Sequence, residues 1–198
     1  MDMERLKKQF DFCREIDQAK FIARQTYLTG AQRMENDAEH AWHIAVMALV
    51  LSEYSNEDID LLRTISMLLI HDLVEIYAGD TYAYDTEAQK TQKQRELAAA
   101  DRLFGLLPTD QQVKFRALWD EFEAEETPES KFAHTLDHVQ PTMLQAATNG
   151  KRWQEKGIHL NQVLERNRTT ADGSDALWAY SRQEFIEPFV QNGILKCK

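Results

Sequence analysis

The sequence predicts an all-α protein, a single compact helical bundle of about seven or eight helices. Three observations predict it. Apolar residues recur at i, i+3 and i+4 along nearly every segment, the spacing of one helix face. No segment alternates apolar and polar residues as a half-buried strand does. Glycine and proline are scarce, at 7 and 4 of 198 residues, too few for the frequent turns of an all-β fold.

Each element follows from local chemistry. Arg5 to Arg24 places Leu6, Phe10, Cys13, Ile16 and Phe21 at helical spacing. The polar stretch Thr29 to Asn36 reads as a loop, and Asn36 or Asp37 can cap the next helix, which runs to about Tyr54 through Ile44, Met47, Ala48 and Leu51. Asn56 can cap a third helix, with Glu57, Asp58 and Asp60 at the positive end of its dipole. That helix continues through Ile65, Leu68 and Leu69 to about Tyr77 and stops at Ala78-Gly79. Asp80 to Asp85 is a short aromatic loop, and Thr86 to Leu107 a long polar helix broken by Pro108. Thr109 and Gln112 form a capping-box pattern for a helix to about Glu125. Thr127-Pro128-Glu129 starts another, which runs past Asp137 and is expected to kink or end at Pro141. The stretches 158–168 and 174–192 are again helical, and Trp153, Trp178, Tyr180, Phe185 and Phe189 read as packing residues.

Charge and composition exclude several function classes. With 23 Lys+Arg against 33 Asp+Glu the formal charge is −10, which opposes binding of a nucleic-acid polymer by a basic surface. A small phosphorylated substrate stays open, since a metal ion can supply local positive charge. The charged start, Asp2 to Lys8, lacks the apolar core of a signal peptide, and the longest apolar run, Ile44 to Leu51, is too short to span a bilayer. Two isolated cysteines, Cys13 and Cys197, make no disulfide framework. The chain reads as soluble and cytoplasmic, with no membrane partner.

The sharpest chemical feature is His71-Asp72 at the end of the apolar run Met67 to Ile70. Ionisable groups buried there need a partner, because unpaired buried charge costs several kcal/mol. His40 lies on the apolar stripe of its helix, and Asp137 sits between Leu136 and Val139. Together His40, His71, Asp72 and Asp137 offer two imidazoles and two carboxylates, a set that suits a divalent transition ion with open positions. Each alone is more often a satisfied core residue than a ligand; the conjunction on three inward faces raises the metal reading. Glu75 falls four residues after His71, on the same helix face, placed to handle protons beside such an ion. Asp80 follows just beyond the helix end as a second free acid. Arg33 is a candidate phosphate ligand, or else an ion-pair partner of Glu35 or Glu39. Thr81, Tyr82 and Tyr84 follow Asp80 and are candidates to line a substrate pocket, or else to form a hydrophobic closure.

Glu39-His40, His71-Asp72 and the distant Asp137 match the pattern of the HD-domain metal-dependent phosphohydrolases. The longer runs Arg33 to His40 and His71 to Asp80 resemble the 5′-deoxynucleotidase subgroup, which includes YfbR-type enzymes and HD-domain-containing protein 2. The resemblance spans roughly Leu6 to Gln140 as an HD core, with helices of 151–198 packing on it. It implies a helical domain, commonly a homodimer. It implies a divalent cation (Mn²⁺, Co²⁺ or a similar ion, or Mg²⁺) on His40, His71, Asp72 and Asp137, and Glu75 and Asp80 as catalytic acids. The implied reaction removes the 5′-phosphate of a deoxyribonucleoside monophosphate. The alternatives are another phosphorylated substrate, or a non-catalytic helical module with a structural metal. Two departures stand out. YfbR-type enzymes carry an Arg-Trp pair about fifteen residues before the first ligand, where this chain reads Arg24-Gln25-Thr26-Tyr27 without tryptophan. Asp137 is flanked by His134 and His138; His134 could face the site or belong to a polar helix face. No histidine lies from Leu73 to Ala133, which favours a single metal over the two held by some HD proteins.

Overall fold

Asp2 caps the first helix by accepting bonds from the backbone N–H groups of Glu4 and Arg5, and in the computed structural model, which describes residues 2–197, α1 spans Met3–Glu15. The expected single helix to Arg24 is shorter. It tightens into a 3₁₀ turn at Ile16–Phe21 and gives way to β1, Ala23–Tyr27. This strand pairs antiparallel with β2, Met34–Asn36, in a two-stranded hairpin that the sequence pattern did not predict. Strands of five and three residues are too short to display alternation, which is the reason they escape detection.

Asn36 then caps α2, Asp37–Leu51, in a reciprocal box: its side chain accepts from the Glu39 N–H at 3.0 Å, and its own N–H donates to the Glu39 carboxylate at 3.1 Å. The third helix starts later than expected. Asp60, not Asn56, caps α3, Leu61–Ile70. The Asn56 amide instead donates to the carbonyls of Ala171 and Asp172, and its oxygen accepts from the Asp175 N–H, tying the C-terminal region down. After Ile70 the chain tightens to a 3₁₀ turn, His71–Val74, and resumes as α4, Glu75–Ala78. Gly79, at φ +77°, turns the backbone out of the helix, a conformation glycine adopts without a Cβ penalty.

Asp85 caps α5, Thr86–Phe104, and α6 covers Thr109–Ala124. The expected Thr109–Gln112 capping box is not formed: Thr109 is already helical, and the cap position falls on Pro108, which has no side-chain donor or acceptor. Thr127 and Ser130 cap α7, Pro128–Ala147. Pro141 neither ends nor interrupts it, although it removes the N–H that would bond the Asp137 carbonyl. Burial explains the tolerance. Phe132, Ala133, Leu136 and Leu144 are at most 4% exposed, so packing on both sides of α7 outweighs the lost bond.

Short elements complete the chain: α8 Lys151–Lys156, α9 Leu160–Arg166, α10 Thr170–Gly173, α11 Asp175–Ser181 and α12 Glu187–Gln191. Helix α7 is central, packed against α2, α3, α6, α10 and α11. Ile44, Ala48, Met67, Leu68, Phe132 and Leu136 form the cluster beneath the candidate site. Trp153, Ile158, Val163, Ile186 and Phe189 form a separate C-terminal cluster, while Tyr180 is exposed. Among the described residues no helix is long and apolar enough to cross a membrane, and Cys13 and Cys197 are free.

Gly173 marks the closest approach of α10 to α7. A Cβ there would run into the backbone of Lys131 and Phe132. Gly173→Ala is therefore expected to destabilise the chain by about 1–3 kcal/mol, the usual cost of overpacking, read as a lower urea midpoint with an unchanged slope.

Candidate metal centre

The capping box at Asn36 places His40 one turn into α2, fully buried and aimed at α7. The tightened turn after α3 presents His71 and Asp72 together, although adjacent residues of an α-helix diverge by about 100°. Asp137 enters from α7. The four side chains meet in an alternating ring. His40 Nε2 lies 3.0 Å from Asp137 Oδ1 and 3.9 Å from Asp72 Oδ2; His71 Nε2 lies 3.0 Å from Asp72 Oδ2 and 3.8 Å from Asp137 Oδ1. Donor atoms around an ion with bonds near 2.1 Å stand ~3.0–3.4 Å apart, so this spacing fits one cation.

The outward nitrogens settle which lone pairs face the centre. His71 Nδ1 lies 2.9 Å from the Leu68 carbonyl, which can only accept, so the imidazole donates there and keeps a lone pair on Nε2. Gln140 does the same for His40. Its amide nitrogen faces Glu35 at 2.9 Å and His43 Nδ1 at 3.1 Å, which leaves its oxygen to accept from His40 Nδ1 at 3.0 Å. Both Nε2 lone pairs thus confront carboxylate oxygens, and His71 Nε2 is buried without a hydrogen-bond partner. A proton or a metal cation placed between them would satisfy these facing acceptors. The electrostatics agree. Burial works against charge on His71, yet Asp72 and Asp137 raise its pKa to about 10. Burial likewise opposes ionisation of Asp72 and Asp137, but the neighbouring imidazoles hold both well below the usual carboxylate range, with Arg24 assisting at Asp72 and Arg166 at Asp137.

Around this centre lies a cavity of about 310 Å³. Glu75 and Asp80 both line it. Glu75 is 8% exposed; burial, then Asp72 and Asp37, push its carboxyl well up, and its Oε2 has no hydrogen-bond partner. Burial also raises Asp80, against the pull of Arg24. Thr81, Tyr82 and Tyr84 line the same space; the two tyrosines pack edge to face at 5.3 Å, and Thr81 Oγ1 accepts from Arg95 at 2.7 Å. Arg33 is not brought there. It is exposed and forms a two-pronged pair with Glu39, at 2.8 and 2.5 Å.

The guanidinium in the cavity belongs to Arg24 on β1, a residue that the sequence pattern does not assign to the site. Its Nη1 donates to Asp72 Oδ2 at 2.5 Å and lies 3.8 Å from Asp37, while Nε is 3.4 Å from Glu35. Glu35 and Asp37 are 1% and 2% exposed, so this one cation is the shared counter-charge of a buried acidic shell. Burial and Asp72 push the Asp37 pKa up to about 8. Arg24→Met is expected to destabilise the metal-free chain by about 3–5 kcal/mol, because the acids remain buried without a counter-charge; chemical unfolding in the presence of a chelator measures it. Gln140 was also missed, although its position three residues after Asp137 on α7 puts both on one face.

A helical bundle that draws two imidazoles and two carboxylates from separate elements onto one point, beneath a cavity with further acids, defines a class: a helical protein with a His/Asp candidate site for a divalent cation. The HD-domain family model matches residues 16–178, and the chain belongs to the HD-domain family. A solved structure described as a predicted metal-dependent phosphohydrolase from Magnetospirillum magnetotacticum MS-1 is 45% identical, with a TM-score of 0.92 over 98% of this chain and 96% of that one. A conserved hypothetical protein from Pyrococcus furiosus shares the fold at 19% identity, with a TM-score of 0.62 over 92% of this chain and 99% of that one. The 5′-deoxynucleotidase HDDC2 of Bos taurus is 33% identical over 138 residues, and that of Homo sapiens 31% over 138 residues. These matches cover 69% of this chain, which spans 65% of the length of those relatives.

Proposed function

We propose that this protein is a metal-dependent phosphomonoester hydrolase that removes the 5′-phosphate of (deoxy)ribonucleoside 5′-monophosphates. The observation that carries the proposal is the convergence of His40, His71, Asp72 and Asp137, with both Nε2 lone pairs turned inward, beside the unligated Glu75 and Asp80. The likeness to the 5′-deoxynucleotidases HDDC2 supports the substrate class, and the likeness to the metal-dependent phosphohydrolase supports the reaction type.

In this reading the four side chains hold one divalent cation of the Mn²⁺ or Co²⁺ type, since imidazole with carboxylate suits such ions. When bound, the cation supplies Lewis-acid polarisation of a phosphate oxygen and a more acidic solvent nucleophile. The chain's own residues do the rest. Glu75 and Asp80 carry the proton leaving the attacking water and the proton needed by the departing sugar oxygen. Arg24 keeps Asp72 ionised and offsets the acidic wall that would otherwise repel a phosphate dianion. Tyr82 and Tyr84 offer ring surface to a base, and Thr81 a hydroxyl at the cavity edge. Homodimerisation belongs to the same proposal; Trp42, Val46, Leu49 and Val50 on α2 and Leu62 on α3 leave apolar surface outward, at 40–75% exposure.

Phosphate release from a panel of ribo- and deoxyribonucleoside 5′-monophosphates, with added Mn²⁺ or Co²⁺, tests the proposal. Metal-dependent release is the expected result. Turnover confined to di- or triphosphates, cyclic dinucleotides or non-nucleotide esters would replace the substrate class, and inertness toward all of them would leave a structural metal module.

A further inference from the structure

Helix α7 carries a second set of ligating groups beside the first. His134, Asp137 and His138 stand at i, i+3 and i+4, and one nitrogen or carboxylate oxygen from each lies within 4.8 Å of the others. All three line the cavity. Two histidines four residues apart share one helix face, a spacing that presents both rings to a single ion. We propose that these residues bind a second divalent cation, with the Asp137 carboxylate shared between the two sites. The proposal rests on Asp137 serving the first cation and is independent of the substrate.

Hydrogen bonds on the far side of each ring prepare the ligands. Thr170 Oγ1 donates its hydrogen to Asn167 Oδ1 at 3.3 Å, so it accepts from His138 Nδ1 at 3.0 Å. The lone pair of His138 is therefore on Nε2. Thr170 and Asn167 are at most 2% exposed, which makes this chain of bonds a fixed support. His134 stacks on Phe122 with ring centroids 4.0 Å apart, and its Nε2 donates to the Phe122 carbonyl at 2.9 Å. Its lone pair is on Nδ1, 3.9 Å from Glu125 Oε1.

The two oxygens of Asp137 already face different partners. Oδ1 meets His40 at 3.0 Å, and Oδ2 meets Arg166 at 3.2 Å. A positive group is thus already drawn to the second oxygen. Arg166 is held there by that single bond on a side chain 37% exposed, so it can yield the position to a dication and turn toward solvent. Glu125 adds a fourth donor on the same wall. It follows the end of α6 at φ +50°, where glycine or asparagine is usual, and its carboxylate faces His134. Two imidazoles with two carboxylates repeat the donor chemistry of the first site and favour the same class of ion. The two histidine ligands thus flank Asp137 on its own helix and lie outside the histidine-free stretch 73–133 that speaks for a single metal, to which only the carboxylate of Glu125 belongs.

Equilibrium dialysis of the full chain against Mn²⁺, with elemental analysis and electron paramagnetic resonance, tests this. Two Mn²⁺ per chain with the signal of an exchange-coupled pair are expected, falling to one uncoupled Mn²⁺ in His134→Gln and in His138→Gln. His134 is only partly buried, so its variant serves if His138→Gln fails to fold. One Mn²⁺ per wild-type chain, lost in His71→Ala and kept in His134→Gln, overturns the second site and leaves the first intact. One Mn²⁺ removed by His134→Gln and kept in His71→Ala supports ligation by the α7 set while overturning both the first-site assignment and the sharing of Asp137.

Discussion

Glu75→Gln is expected to lower the turnover of a nucleoside 5′-monophosphate by about 10²–10⁴-fold, the usual weight of a positioned acid or base, while the thermal midpoint stays within a degree or two. The side chain keeps its volume, so the packing of α4 is unchanged. Burial and the neighbouring Asp72 and Asp37 already disfavour charge on Glu75 in the metal-free chain, so a neutral amide introduces no new electrostatic cost. What disappears is a group able to accept and return a proton at the cavity wall. Phosphate release and a melting curve on the same sample separate the two effects. Wild-type turnover in the variant would remove Glu75 from the mechanism.

The second large effect couples metal to stability. On the proposed ligand set, Mn²⁺ at a hundredfold excess over its Kd stabilises the wild-type chain by about 2.7 kcal/mol, and His71→Ala abolishes the contribution of the first site. The dependence on pH carries a sign that can be checked. The His71 pKa is raised from an ordinary 6.5 to about 10 in the folded, metal-free chain. Its ion pairing with Asp72 and Asp137 is fully present below the unfolded value and is lost as pH rises through the folded one. Chelated protein should therefore lose stability between about pH 6.5 and 10, whereas a bound dication replaces the proton and flattens that slope. Urea midpoints measured across that range, with chelator and with Mn²⁺, provide the check. A slope of equal steepness with and without Mn²⁺ would separate His71 from metal binding.

Particular residues show why some of this was legible and some was not. The Asn36–Glu39 capping box is a four-residue pattern with a local mechanism, so the start of α2 and the inward turn of His40 follow from sequence. The Asp72–Glu75 interval kept both acids on the cavity side even though the chain tightens into a 3₁₀ turn between them. Arg33 illustrates the opposite. It is close in sequence to the first motif, but its exposed guanidinium is satisfied by Glu39, whereas Arg24, nine residues earlier, is folded inward by β1 onto Asp72 and Glu35. Pro141 looked like a helix end because proline removes a backbone donor; buried neighbours on α7 outweigh that loss.

By itself the sequence determined the helical class, most of the helix starts and the chemical identity of the candidate ligands, since each rests on residues within a turn or two of one another. Only the tertiary structure decided which arginine enters the site, which nitrogen of each histidine faces its centre and how the C-terminal helices bring Arg166, Asn167 and Thr170 to the cavity side of α7. Apart from the local bond of His71 to the Leu68 carbonyl, those choices depend chiefly on long-range contacts, such as Gln140 to Glu35 and Arg166 to Asp137, and on the desolvation that makes each unpaired group costly. Local periodicity carries no information about either.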